Sequence, residues 1–165
     1  MKGIYCKSIN QVEILDIDEL ADAAAALAAG DVWSPHVDRW RARTLQQAIE
    51  AERRHYVRLL GNEVYEAWLL DWAPGQHVGM HDHGDAAGAF FVVCGALREV
   101  LPERRRSIVD LRPGHTGVVR RGQLHDVGNV SDRPALSVHV YSPPLSTMTF
   151  YDAAGRSALR TEVVA

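Results

Sequence analysis

Cysteine is scarce: Cys6 and Cys94 are the only two in 165 residues. Two thiols are too few for a disulfide scaffold and cannot by themselves build a structural zinc site. Long apolar runs are missing as well. No stretch of eighteen or more uncharged apolar residues occurs, so no segment reads as a membrane-spanning helix. The opening MKGIYCKSINQ lacks the apolar run of a secretory signal. Nor is there an excess of positive charge. Eighteen Lys and Arg stand against twenty-one Asp and Glu, a formal charge of −3, which argues against a general nucleic-acid binder. Hydrophobic residues at 47% and charged residues at 24% suit a globular domain rather than a disordered chain. The expectation is one cytoplasmic domain over 1–165, with no membrane or nucleic-acid partner.

Residues 1–53 read as helical. Asp16–Ala29 is rich in strong helix formers, with Gly30 as a C-terminal stop and Asp16 or Asp18 as the N-cap. Ser34-Pro35 offers a second start, and Val37–Arg53 a second helical region. Packing of the Ala-rich helix against a sheet explains it better than a role as a lid. From His55 the texture changes. Val64, Glu66, Trp68, Leu70 and Trp72 alternate with Tyr65, Ala67, Leu69 and Asp71, a period of two. Short strands follow around Ala89–Cys94, Ala96–Leu101, Ser107–Leu111, Gly117–Val119, Leu124–Val127, Ala135–Tyr141 and Met148–Tyr151, punctuated by Pro and Gly. This spacing predicts a β-sandwich or barrel over 54–151. The stretch 152–165 carries little pattern and reads as a loose strand or tail.

Eight histidines are present, and their placement is informative. His81 and His83 sit in HDH; on a strand, i and i+2 share a face, so both imidazoles can reach one ion. Alone that is a weak signal. Gly75 precedes the pair and Gly95 follows it, while Gly114, Gly122, His125 and Asn129 form a second set, G-x7-G-x2-H-x3-N. His36, His55, His77 and His115 fall outside both sets and read as surface or loop residues. Cys94, in the apolar run FFVVC, reads as a small buried hydrophobe.

The two sets resemble the paired motifs of the cupin superfamily, G-x5-H-x-H-x(3,4)-E-x6-G and G-x5-P-x-G-x2-H-x3-N. Gly88 stands where the first motif has its glutamate, and Arg120 where the second has proline. A three-histidine cupin without the glutamate resembles the thiol dioxygenases. The likeness extends over residues 54–150. HYVRLLGNEVYEAWLLDW, leading to GQHVGMHDHG, is similar to cysteine dioxygenases, with Tyr56 and Arg58 at that family's Tyr-x-Arg. SVHVYSPP supplies Ser137, His139 and Tyr141 at its Ser-x-His-x-Tyr.

The resemblance implies a mainly β cupin barrel, jelly-roll-like, with N-terminal helices packed outside. It implies Fe(II) held by His81, His83 and His125, and conversion of L-cysteine and O2 to cysteine sulfinate. Arg58 and Tyr56 would bind substrate, Arg58 receiving the carboxylate in its planar fork. Tyr141 would act through its hydroxyl, held by His139 and, through it, Ser137. Asn129 and the motif glycines would serve turn geometry. Gly88 also matches the position where animal-type members carry a cysteine joined to the tyrosine matching Tyr141, so that tyrosine is expected to stay unmodified here. Two rivals remain open. One is a dioxygenase of 3-mercaptopropionate or another thiol acid, against which Arg58 counts, since such members tend to have glutamine there. The other is a non-catalytic metal-binding cupin, against which the Ser137, His139, Tyr141 triad counts. Three imidazoles would also accept zinc, nickel or copper.

Overall fold

The structure, a computed structural model, describes residues 14–30, 55–102 and 107–164. Cys6 and the expected helix over Val37–Arg53 lie outside the described residues. Helix α1 spans Ile17–Ala29. Asp16 caps it, its Oδ1 accepting from the N–H groups of Asp18 and Glu19, each at 2.9 Å, while the Asp16 N–H donates to Glu19 at 2.8 Å. This reciprocal box satisfies donors that a helix start leaves open.

Eleven strands follow among the described residues: β1 His55–Gly61, β2 Glu66–Trp72, β3 His81–Asp82, β4 Ala87–Cys94, β5 Leu97–Leu101, β6 Ser107–Leu111, β7 Thr116–Val119, β8 Asp126–Gly128, β9 Ala135–Ser142, β10 Thr147–Tyr151 and β11 Ala158–Val163. They form a five-stranded sheet in the order β1-β2-β9-β4-β7 and two three-stranded sheets, β11-β10-β3 and β6-β5-β8. Every pairing is antiparallel. This is an antiparallel β-sandwich of jelly-roll type, with its sheets not closed into a continuous barrel.

The central strands β2, β9 and β4 of the five-stranded sheet are largely buried on both faces, which explains why they are more apolar than simple alternation requires, while the edge strand β1 is largely exposed. One face carries Ala67, Leu69, Ala87, Ala89, Val138 and Val140 against Leu20, Ala24 and Ala28 of α1. The helix therefore packs on the sheet, as its composition suggested. The opposite face sends Leu70, Trp72, Phe90 and Val92 inward to meet Leu97, Leu111, Val119 and Val127. Polar residues 137, 139 and 141 of β9 also fall on that inner face, by the period of two along the strand.

Two elements sharpen the expectation. The stretch read as a loose strand or tail contains β11, paired with β10 from Thr147↔Val163 to Tyr151↔Ala158. All six of its residues are exposed, so it has no buried face to produce an alternating pattern. The HDH strand is also shorter than a regular strand, ending at Asp82. Gly84 turns the chain at φ +57°, a conformation that costs other residues more than glycine.

Candidate metal centre

The segment ending in β3 runs antiparallel to the segment that opens β8. His81 and His125 exchange both backbone hydrogen bonds, N–H to O=C at 2.9 Å each way, and their ring centroids stand 4.5 Å apart. Backbone pairing thus places one histidine of each motif side by side. Asp82, on the other side of the strand, accepts from the Tyr151 hydroxyl at 2.8 Å and the Gly84 N–H at 3.0 Å, which pins the HDH segment to β10. His83 then returns to the same side as His81. All three histidines are buried, at 2%, 3% and 2% exposure for His81, His83 and His125.

Their Nε2 atoms converge: His83 Nε2 lies 3.1 Å from that of His81 and 3.4 Å from that of His125. Imidazole nitrogens bound to one ion at about 2.1 Å with angles of roughly 90° to 110° stand ~3.0–3.4 Å apart, so the spacing fits a single cation. His81 donates its Nδ1–H to the Gly79 carbonyl at 2.8 Å, an acceptor that fixes the tautomer and leaves the Nε2 lone pair facing its neighbours. His125 Nδ1 meets Glu99 Oε1 at 2.8 Å, a contact that engages Nδ1 and leaves Nε2 facing the other two rings. Burial holds His83 well below the usual histidine range, reinforced by the neighbouring His125, His81 and His139. Burial likewise takes His125 down to about 4, Asp126 pulling weakly the other way, and pushes Glu99 up to about 7. Each group is driven toward its neutral form, so the His125–Glu99 contact is a hydrogen bond rather than a charged pair. Three neutral imidazoles in a site that penalises protonation are a ligand set for a metal ion. His83 Nδ1 is buried with no partner among the described residues.

The three rings open into a cavity of about 500 Å³, large enough for a small organic molecule. Its wall is mostly apolar, with Trp68, Leu70, Val78, Val127, Leu145, Met148 and Phe150, and its polar lining includes His139, Tyr141 and Tyr56. Glu162, Val163 and Val164, from the end of the chain read as a tail, also line it. Ser137, His139 and Tyr141 form a hydrogen-bonded chain: Ser137 Oγ to His139 Nε2 at 2.8 Å, and His139 Nδ1 to the Tyr141 hydroxyl at 3.2 Å. The Tyr141 ring stands edge-on to His83 at 4.9 Å.

Arg58 is placed differently. Its Nη2 lies 3.3 Å from Glu66 Oε2, its side chain is half-exposed, and its guanidinium carbon sits 5.9 Å from the Trp68 ring centroid. It is not among the residues lining the cavity, whereas Tyr56, two residues earlier, is. Tyr56 is largely exposed and meets Trp68 edge-on at 5.6 Å.

Gly88 pairs with Tyr141 across β4 and β9. A Cβ there would lie 3.0 Å from Tyr141 Cδ1 and 3.4 Å from His83 Nδ1, so residue 88 borders the tyrosine and a histidine of the triad. Cys94 pairs with Leu136, five positions from Tyr141 along β9. Asn129 ties loops together, donating to the carbonyls of Trp72 and Arg133 and accepting from Ser131.

Glu99 and Glu66 were not singled out from the sequence. Each reaches its partner across strands, Glu99 to His125 and Glu66 to Leu145, at separations of 26 and 79 residues. Neither contact follows a local spacing rule.

The fold and the three-imidazole set together define a metal-binding cupin. A conserved protein with a double-stranded β-helix domain from Klebsiella pneumoniae superposes with a TM-score of 0.51 at 17% identity, over 69% of this chain and 86% of that one, which establishes the fold. The sequence model of cysteine dioxygenase type I matches residues 6–154, and the chain belongs to that family. Cysteine dioxygenase type 1 of Danio rerio is 31% identical over 105 residues, 56% of this chain and 52% of that protein. The chain thus spans about half the length of that curated relative in the match. The Homo sapiens protein of the same name is 27% identical over 174 residues, 87% of this chain and 84% of that protein. Among the described residues, no helix is long and apolar enough to cross a membrane.

Proposed function

We propose that this chain is a mononuclear non-haem iron thiol dioxygenase and that it converts L-cysteine with O2 to cysteine sulfinate. The observation that carries the reading is one cavity lined both by the converging imidazoles of His81, His83 and His125 and by His139 and Tyr141 of the hydrogen-bonded chain that comes from Ser137 behind the wall. A bare metal-binding cupin needs only the first. Fe(II) held by the three histidines supplies the positive charge that favours a thiolate and the one-electron chemistry that O2 requires. The apolar wall keeps bulk water from the reacting sulfur, Tyr141 offers its hydroxyl at the edge of the histidine triad, and His139 holds that hydroxyl in place.

Arg58 is the residue we assign to the substrate carboxylate. One guanidinium nitrogen is engaged by Glu66, and the planar fork carries further N–H donors for a carboxylate. The assignment requires the half-exposed Arg58 side chain to turn from Glu66 past Trp68, a residue of the cavity wall. The second reading is a dioxygenase of 3-mercaptopropionate or another thiol acid, which shares the carboxylate of cysteine and lacks its amine; the position of Arg58 outside the cavity lining leaves the choice of thiol to the assay.

Oxygen uptake by the iron-loaded protein with L-cysteine, 3-mercaptopropionate and cysteamine tests both readings. Consumption of cysteine with a product heavier by two oxygen atoms is expected. Arg58→Gln should lower kcat/KM for cysteine by about 1.5–3 kcal/mol and leave cysteamine nearly unchanged. Equal losses on both substrates would remove Arg58 from the carboxylate. No uptake with any thiol by protein that retains iron would leave a non-catalytic cupin.

A further inference from the structure

The hydrogen-bonded chain does not begin at Ser137. Trp72, fully buried on β2, places its indole Nε1 2.8 Å from Ser137 Oγ. We propose that Trp72 is a positioning residue whose N–H sets the direction of every proton from Ser137 to Tyr141, so that Tyr141 presents its hydroxyl proton to the cavity. This inference rests on the proposed dioxygenase reading for its consequence in turnover, but not for its geometry.

An indole N–H can only donate, whereas a hydroxyl donates once and accepts twice. Ser137 Oγ therefore accepts from Trp72, and its single proton goes to its other polar neighbour, His139 Nε2, at 2.8 Å. A neutral imidazole that accepts at Nε2 carries its proton on Nδ1. His139 Nδ1 then donates across 3.2 Å to the Tyr141 oxygen, and the phenol proton is directed away from His139. His139 itself is 5% exposed, stacked on Phe90 at 5.1 Å and 15° and lying 6.1 Å from the Trp72 ring centroid.

The opposite polarity uses the same heavy atoms. With His139 protonated on Nε2, Ser137 would accept from it, Nδ1 would accept the phenol proton, and Tyr141 would spend that proton inside the wall. Ser137, His139 and Tyr141 alone are compatible with either direction. With Trp72 donating as well, the second direction would fill both Ser137 lone pairs and leave its buried hydroxyl proton without an acceptor among the described residues, so the donor-only group at the far end selects the first. A residue in the apolar alternation of β2 thereby acts on chemistry through three hydrogen bonds.

Long-range 1H–15N correlation spectra of the full chain, labelled with 15N-histidine and loaded with diamagnetic Zn(II), read the tautomer directly. The His139 signal is assigned by its loss in His139→Gln. In the wild type, Nδ1 should be the protonated nitrogen and Nε2 the bare one. In Trp72→Phe the ring should convert to the Nε2–H form or to a mixture, with the signals of His81, His83 and His125 unchanged as proof of the fold. Ser137→Ala breaks the same link without touching the core indole and should also lose the pure Nδ1–H form. A wild-type Nε2–H ring overturns the inference, and so does a pure Nδ1–H ring retained in either variant. In the iron-loaded enzyme, Trp72→Phe should lower kcat for thiol oxygenation by on the order of tenfold or more, with KM changed far less. If no thiol is turned over by the wild type, the dioxygenase reading fails while the tautomer result still decides the role of Trp72.

Discussion

Glu66 makes two contacts of different kind, and two substitutions separate them. Its carboxylate is buried at 4% exposure; Oε1 accepts the buried Leu145 N–H at 2.9 Å, and Oε2 faces Arg58 at 3.3 Å. Glu66→Ala removes both. It leaves a buried N–H without an acceptor, a loss of about 1–3 kcal/mol. Glu66→Gln keeps an oxygen for Leu145 and removes only the charge facing a half-exposed guanidinium, a pair worth about 0–1 kcal/mol. The alanine variant should therefore be less stable than the glutamine variant by about 2 kcal/mol, roughly a 1 M difference in urea midpoint at ordinary slopes. Equilibrium urea unfolding followed by Trp fluorescence measures it. Equal destabilisation of the two variants would show that the charge pair dominates, and the hydrogen-bond argument for Leu145 would be wrong.

Other expectations concern the histidines and the tyrosine. Alanine at His81, His83 or His125 should abolish metal retention measured by elemental analysis, because each supplies one of three ligands, whereas Glu99→Gln should weaken it roughly 10- to 100-fold by loosening His125. In the metal-free chain, His125 at about 4 and Glu99 at about 7 bind one proton between them over roughly pH 4.5–6.5, as does the unfolded pair, so together they give no slope there. Glu99→Gln removes the compensation: His125, depressed on folding, then loses its stabilisation as pH falls below 6.5, and unfolding free energy should drop more steeply than in wild type by ~1.4 kcal/mol per pH unit. An unchanged slope would count against the burial argument. After aerobic turnover, intact mass should show no loss of two hydrogens, since Gly88 puts no sulfur beside Tyr141 and Cys94 pairs with Leu136; a peptide joining Tyr141 to Cys94 would refute this.

The histidines were readable because metal ligation imposes local spacing: His81 and His83 must share a strand face, and the second motif positions His125 by its own turn glycines. Ser137, His139 and Tyr141 were named by the resemblance to the family's Ser-x-His-x-Tyr, and their period of two on one strand puts them on one face. Glu99 and Glu66 were not, because their partners are supplied by cross-strand register, which no spacing within a single sequence records. The place of Arg58 was only half readable. The motif names the residue, but its guanidinium is set by Glu66, which arrives on β2. Strand β11 could be read only as a loose strand or a tail, because its residues are exposed and nothing in its sequence alternates.

Strand β9 is entirely buried, yet its two faces answer to different demands. Val138 and Val140 meet helix α1, while Ser137, His139 and Tyr141 line up along the cavity side. Saturation mutagenesis of residues 137–141 should therefore produce two alternating kinds of failure. Even-numbered variants would be recovered in low yield and, once folded, would work in proportion to their abundance. Odd-numbered variants made with tolerated volume would be abundant and slow. A single-residue insertion or deletion in this strand exchanges the two classes at a stroke, presenting valines to the histidine cluster and polar groups to the helix, so it should cost fold and activity together, where a substitution costs mainly one of them.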